Sequence, residues 1–186
     1  MAYSRVSEPE LLGRSAEIFR RHGFEGTSLS QLAAATGLEK ASLYHRFPGG
    51  KAEIALAVAG SVYAWFEKNV FTPLKAGGSP QKKLRAVTEQ LRIFYVDGKM
   101  PCALDALSFP GGGEELAAAL KAALLAWLKA FTEIARESGL TAADARKRAE
   151  RAVMLIEGSL VLGRVLGETK MFKQTLEELP GLLMGR

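Results

Sequence analysis

The side chains able to do chemistry are few, and their spacing points away from catalysis. Two histidines, His22 and His45, and one cysteine, Cys102, are the chain's whole stock of imidazole and thiol. They form no HExxH, no CxxC and no nucleophile elbow, so metal-assisted hydrolysis and a catalytic triad both lack parts. Gly50-Lys51 ends like a phosphate-binding loop, but GxxxxGK[ST] fails at the first Gly and at the final Ser/Thr. No enzyme activity, metal or cofactor is therefore expected. Cys102 could serve as a redox thiol, but Lys99 is the one basic residue close to it in sequence; a buried small apolar residue is the better reading.

What remains is hydrogen bonding from one compact block, SLSQLAAATGLEKASLYHRF, residues 28–47. Two short helices crossing near a right angle need a small residue at their contact, which Ala33 supplies. The turn needs a residue tolerant of positive φ, and Gly37 follows four residues later. Leu32, Leu38 and Leu43 fall at inward positions, leaving Lys40, Ala41, Ser42, Tyr44 and His45 to point outward. That is the pattern of a helix-turn-helix, whose second helix enters the major groove of DNA with its early residues on base edges.

The elements that must position this block are helices throughout. Ser7 with Glu10 fits a capping box ahead of Leu11, Ser15, Ile18 and Phe19, with a stop at Gly23; Ser28 with Gln31 fits a second. A short helix follows over 39–46. The fourth runs from Gly50-Lys51 to Thr72-Pro73. Ser79-Pro80 opens a helix that stops at Gly98, and a short one follows Pro101 and breaks at Ser108–Gly113. Residues 114–138 form a long Ala/Leu helix closed by Gly139. Thr141 with Asp144 caps a helix running to Gly167, and a last one from Thr169 keeps Phe172, Leu176, Leu179 and Leu183 in phase across a kink at Pro180. About nine helices and no strands define an all-α fold, divided into a DNA-binding domain over 1–50 (helix-turn-helix 28–47) and a helical ligand-binding and dimerisation domain over 51–186.

The flanks make the block specific. Phe19-Arg20-Arg21-His22-Gly23-Phe24, then Thr27-Ser28, Gly37-Leu38, Leu43-Tyr44-His45-Arg46-Phe47 and Lys51 together resemble the TetR family of one-component transcriptional regulators over roughly residues 5–65. Phe47-Pro48-Gly49-Gly50-Lys51 resembles a subgroup that represses multidrug-export genes and responds to apolar aromatic compounds such as flavonoids. The resemblance implies phosphate contacts from Thr27, Ser28, Tyr44, His45 and Lys51, and base-edge positions for Glu39, Lys40, Ala41 and Ser42. Lys40 could read guanine and the Ala41 methyl could touch a thymine methyl. Arg5 stands where relatives sometimes reach the minor groove. Ser28 as a plain cap, Tyr44 as a surface aromatic and His45 as a solvated residue stay open beside these roles. Two departures stand out: Glu39 replaces a common Ser/Thr cap, and the Phe-to-Lys spacing is one residue longer, which could shift the Lys51 contact.

A two-fold operator reader needs two recognition helices about 34 Å apart, so a homodimer on a palindromic operator in double-stranded DNA is expected. The resemblance implies a four-helix bundle built from the last two helices and their mates. Ser159, Gly163 and Gly167 form a small-residue stripe beside Leu155, Ile156, Leu160, Leu162 and Leu166, and Phe172 and Leu176 follow; burial within the monomer is the competing reading. The run Arg146-Lys147-Arg148…Arg151 on the same helix reads as a solvated face. Between reader and bundle the resemblance places an effector pocket, with Tyr63, Phe66, Phe94, Met100, Cys102, Phe109, Trp127 and Phe131 as candidate lining for a small apolar effector. For each residue alone packed core is the better reading, while for the group a pocket is. Arg92, Glu157 and Arg164 are candidate polar anchors.

Over 186 residues the chain has a net charge of +5 and a pI near 9.4, which invites a nucleic-acid reading. Residues 1–53 nonetheless hold seven Lys/Arg against six acids, so most of the excess lies elsewhere. DNA binding would then rest on a few placed donors and helix N-termini, with a modest salt slope. A repressor is favoured over an activator, because nothing resembles a polymerase-contact segment; a helical small-molecule-binding protein without DNA regulation is the other alternative, and it would show a degraded reader surface, whereas Lys40, Tyr44, His45 and Lys51 are all present. The first ten residues lack the apolar core of a signal peptide, and no uncharged run approaches the roughly 18–20 residues that span a bilayer. A cytoplasmic protein without membrane contact is expected.

Overall fold

The computed structural model describes residues 6–186, so the candidate minor-groove residue Arg5 lies outside the described residues. Among them the chain is all α, with nine helices and no strand. The caps explain where they begin. Ser7 accepts the Glu10 N–H ahead of α1 (Glu8–Gly26), and Ser28 forms the reciprocal box with Gln31 ahead of α2 (Leu29–Thr36). Helix α3 (Lys40–Arg46) starts at Glu39 without a side-chain cap, as expected where the longer Glu side chain replaces Ser or Thr. Next comes α4 (Gly50–Phe66), which continues through a π-helical turn (Glu67–Phe71) into a final turn (Thr72–Lys75). The helix therefore outruns its expected end at Thr72-Pro73. The register slips just before Pro73, which has no N–H to donate back along the helix.

Ser79 caps α5 (Pro80–Phe94), and a 3₁₀ turn (Val96–Gly98) follows. Then come α6 (Ala103–Leu107), α7 (Gly113–Glu137), α8 (Ala142–Leu166) and α9 (Lys170–Leu183). Pro180 lies inside α9 without ending it, and Phe172, Leu176, Leu179 and Leu183 are all buried along one face.

The helices condense into two compact units. One takes the chain up to Tyr63 together with Ala103–Ala122; the other takes Ala64–Cys102 and Ala123–Arg186. The core of the first is Leu11, Phe19, Leu32, Leu43, Ile54 and Val58, with Phe19 stacked on Phe24. Each fully buried large side chain of this kind contributes about 1.5–3 kcal/mol. In the second unit α9 packs against α8 and α5, around a set of aromatic rings described below.

Candidate nucleic-acid interface

The two helices of the reader are fixed by short-range chemistry and one long arm. Gly37 ends α2 in the left-handed region (φ 72°), which lets the chain reverse without Cβ strain. Leu32 and Leu43 are fully buried, Ala33 nearly so, and Leu38 packs half-buried against the same core. From α1 the Arg14 guanidinium donates to the Ala35 and Thr36 carbonyls (3.3 and 3.4 Å), holding the end of α2, while Glu10 pairs with it at 2.6 Å. Arg46 donates to the Val6 carbonyl at 3.3 Å.

This frame leaves one face of α3 to solvent. Lys40, Ala41, Ser42, Tyr44 and His45 are exposed, as is Glu39 ahead of them; the Tyr44 ring is 50% exposed. Lys40 and His45 make no ion pair among the described residues. Gly50, at φ +64°, sits where an added Cβ would stand 3.5 Å from the Tyr44 ring and 3.8 Å from Leu29. The extra glycine of Pro48-Gly49-Gly50 thus supplies a left-handed turn beneath Tyr44 that other residue types adopt only under strain.

Three candidate phosphate ligands are committed elsewhere. Thr27 is not at the surface: it is 2% exposed, and its hydroxyl donates to the Gly23 carbonyl at 2.7 Å. The cause is the break in α1 at Gly23 (φ 71°, ψ 172°), which leaves that carbonyl seeking a donor. Ser28 is exposed but works as a cap, its hydroxyl accepting the Gln31 N–H at 3.2 Å and donating to Gln31 Oε1 at 2.9 Å. Lys51 turns inward. Its ammonium donates to the Phe24 carbonyl at 2.9 Å and sits 4.3 Å from the centre of the Phe24 ring. The N-terminus of α4 is meanwhile occupied by its own carboxylate, with the Gly49 N–H donating to Glu53 Oε2 at 2.7 Å.

The candidate effector residues divide between the units. Phe66, Phe94, Trp127 and Phe131 meet in the second unit, where Phe66 lies 5.1 Å from Phe94 and 5.2 Å from Trp127. Trp65, Tyr95 and Phe172 extend the same contacts. Cys102 is buried there, accepting from the Tyr95 hydroxyl at 3.6 Å, and the half-buried Met100 donates its N–H to the Tyr95 carbonyl. Tyr63 and Phe109 belong to the first unit and are exposed, so they do not join this cluster. Phe109 borders a 370 Å³ hollow with Leu107, Leu116 and Leu120, because the Pro110-Gly111-Gly112 turn carries it off any helix. Arg92 lies at the surface, held by Glu89 and Asp97.

The expected dimer residues also split, by helix face. Ile156, Ser159, Leu160 and Gly163 on α8, with Phe172 and Leu176 on α9, are buried within the chain's own second unit. Gly163 is small for a local reason: a Cβ there would meet the Glu168 carbonyl oxygen at 2.6 Å, in the turn where the Glu168 N–H returns to the Gly163 carbonyl. Leu155, Leu162 and Leu166 instead face outward, joined by Met154, Val161 and Val165, the last 74% exposed. These six run along one side of α8 at helical spacing and form an exposed apolar stripe. Beside its N-terminal end a 510 Å³ groove is lined by Arg148, Arg151, Thr175 and Glu178. No helix among the described residues is long and apolar enough to cross a membrane.

Comparison with known proteins matches both halves of the chain. Residues 11–58 fit the family model described as bacterial regulatory proteins, tetR family, and residues 73–178 that of the C-terminal domain of LmrA/YxaF-like transcriptional regulators. The HTH-type transcriptional regulator LmrA of Bacillus subtilis (strain 168) is 25% identical over 161 residues, 84% of this chain and 85% of that protein. The uncharacterized HTH-type transcriptional regulator YxaF of the same organism is 21% identical over 95% of both chains. In fold, a TetR transcriptional regulator from Legionella pneumophila superposes with a TM-score of 0.82 at 17% identity, covering 96% of this chain and 97% of that one. A TetR-family regulator from Agrobacterium tumefaciens gives 0.80 at 19% identity over 92% and 94%.

Proposed function

Because the chain belongs to the TetR family of bacterial transcriptional regulators, we propose that it acts as a ligand-released repressor, a homodimer on a palindromic operator. The observation that carries the reading is the exposed outer face of α3, with Lys40, Ser42, Tyr44 and His45 together in solvent above a fully buried Leu43. A helix so presented can enter the major groove, Lys40 donating to guanine and Ala41 meeting a thymine methyl. The apolar stripe on α8 supports the dimer, since two such stripes cover each other by a two-fold rotation. The cluster around Phe66 and Trp127 supports a small, mainly apolar effector.

Release follows from the build of α4. This one helix carries Lys51 in its first turn and Phe66 in its last. An effector inserting beside Phe66 displaces the helix and with it the spacing of the two α3 helices. It shifts the equilibrium by its preference for the non-binding arrangement. The test is selection of bound duplexes from a randomised pool, then mobility shift on the enriched sequence. The reading expects an inverted repeat with half-sites about one helical turn apart; no enrichment over the input pool would overturn it.

A further inference from the structure

Glu39 is the acid that adjoins the outward residues of α3, and nothing in the chain claims its carboxylate. Its backbone is fixed: the carbonyl accepts the Leu43 N–H at 3.1 Å, and the residue stands extended (ψ 152°) ahead of Lys40. Its side chain is exposed, makes no cap hydrogen bond and joins no ion pair among the described residues. The other acids near the start of the chain differ. Glu10 and Glu17 pair with Arg14 and Arg21, and Glu53 accepts the Gly49 N–H. Glu8 and Glu25 lie on α1. An uncommitted carboxylate therefore stands next to Lys40, Ala41 and Ser42, all exposed.

A carboxylate carried into the major groove has few acceptable neighbours. It accepts hydrogen bonds and donates none, and the phosphates on either side repel it. Guanine presents O6 and N7, and thymine presents O4 and a methyl group, so neither offers a donor. Adenine sets its N6 amine beside the N7 lone pair, which opposes the second carboxylate oxygen. Cytosine presents its N4 amine with no acceptor next to it on that edge. We propose that Glu39 is a specificity-determining residue that accepts the N4 amine of one cytosine in each half-site. This rests on the DNA-reading part of the function proposed above. At any other base the carboxylate gives up water and receives no donor in return, so the same residue weakens binding to unrelated DNA.

The test sets the full chain beside Glu39→Ala and Glu39→Gln, by selection from a randomised duplex pool and then by anisotropy on the duplex the parent enriches. Both substitutions fall on an exposed side chain that bonds to nothing in the chain, so folding is retained. The parent is expected to enrich one cytosine per half-site at a position that Glu39→Ala reads without preference. Replacing that pair in one half-site should weaken the parent about tenfold and Glu39→Ala by less than about twofold. On a scrambled duplex Glu39→Ala should bind about threefold tighter at low salt, a gain that shrinks as salt rises. Glu39→Gln, with an amide donor beside its acceptor, should shift the position toward adenine. Identical base preferences in the parent and Glu39→Ala would overturn the assignment, as would equal affinities for the scrambled duplex at low salt, because a carboxylate that is merely solvated moves neither. A position that follows Glu39 but prefers another base would overturn the choice of cytosine. No enrichment by the parent would overturn the DNA-reading function itself, and the assignment with it.

Discussion

Lys51→Met tests whether the ammonium of Lys51 is a clamp within the reader rather than a phosphate ligand. The substitution keeps an apolar stem and removes the charge that joins the start of α4 to the Phe24 carbonyl and ring. A hydrogen bond from a charged donor contributes about 1.5–3 kcal/mol, and a cation that keeps part of its water over an aromatic ring about 0.5–1. Lys51 is half-buried, so the low ends apply, and the pair together come to about 2 kcal/mol. The loss stays at this size because the Phe24 carbonyl still accepts from the Thr27 N–H at 3.3 Å. At roughly 2–4 °C per kcal/mol for a chain of this size, Tm should fall by about 4–8 °C. Thermal unfolding by circular dichroism reads this directly, and a salt titration of binding to the selected duplex reads the alternative. A Tm within about 1 °C of the parent would refute the clamp. If the salt slope also dropped by about 1.8, the value for two lost phosphate contacts per dimer, Lys51 would belong to the DNA.

Three further perturbations probe the scaffold. Val96→Gly should raise the unfolding free energy measured in urea by about 0.5–1 kcal/mol, because Val96 holds φ +50° and a β-branched residue is strained there; a lower midpoint would contradict this. Ser15→Ala should stabilise by about 1 kcal/mol, since the Ser15 hydroxyl is fully buried with no partner among the described residues, and a fall in midpoint would show that it has one. Arg92 donates to Glu89 and Asp97 and holds both carboxyls below their ordinary values of 4.5 and 3.8. Their contribution is present above those values and is lost as pH falls through the lowered ones. Arg92→Met should therefore lower Tm at neutral pH, with a gap that closes in acid; a gap independent of pH would exclude this origin.

Much of the fold was legible because helix ends are written locally. Ser28 with Gln31, Ser79-Pro80, Thr141 and Gly167 each signal a boundary through their own hydrogen bonds or φ, and each is found in that role. The outward set on α3 was legible for the same reason, since a short amphipathic helix with Leu43 inside can turn few ways. Tertiary partners hid the rest. Nothing near Thr27 in sequence announces that the Gly23 carbonyl will claim its hydroxyl, or that Phe24 will take Lys51 across 27 residues. On α8 apolar residues occupy two faces, and the packing of α9 decides that Ile156 and Leu160 go inside while Leu155 and Leu162 stay out. The left-handed pair Val96-Asp97 carries no glycine signal of its own.

The central claim is that the exposed face of α3 reads DNA, and one measurement meets it directly. Fluorescence anisotropy at fixed salt compares the parent chain with Lys40→Ala and Tyr44→Ala on the duplex enriched by selection and on a scrambled duplex. Both side chains are exposed and outside the core, so folding should be retained within about 0.5 kcal/mol. Lys40→Ala should lose about 1–3 kcal/mol on the selected duplex, with little change on the scrambled one. Tyr44→Ala should weaken binding to both. Unchanged affinity for the selected duplex in both variants would contradict it.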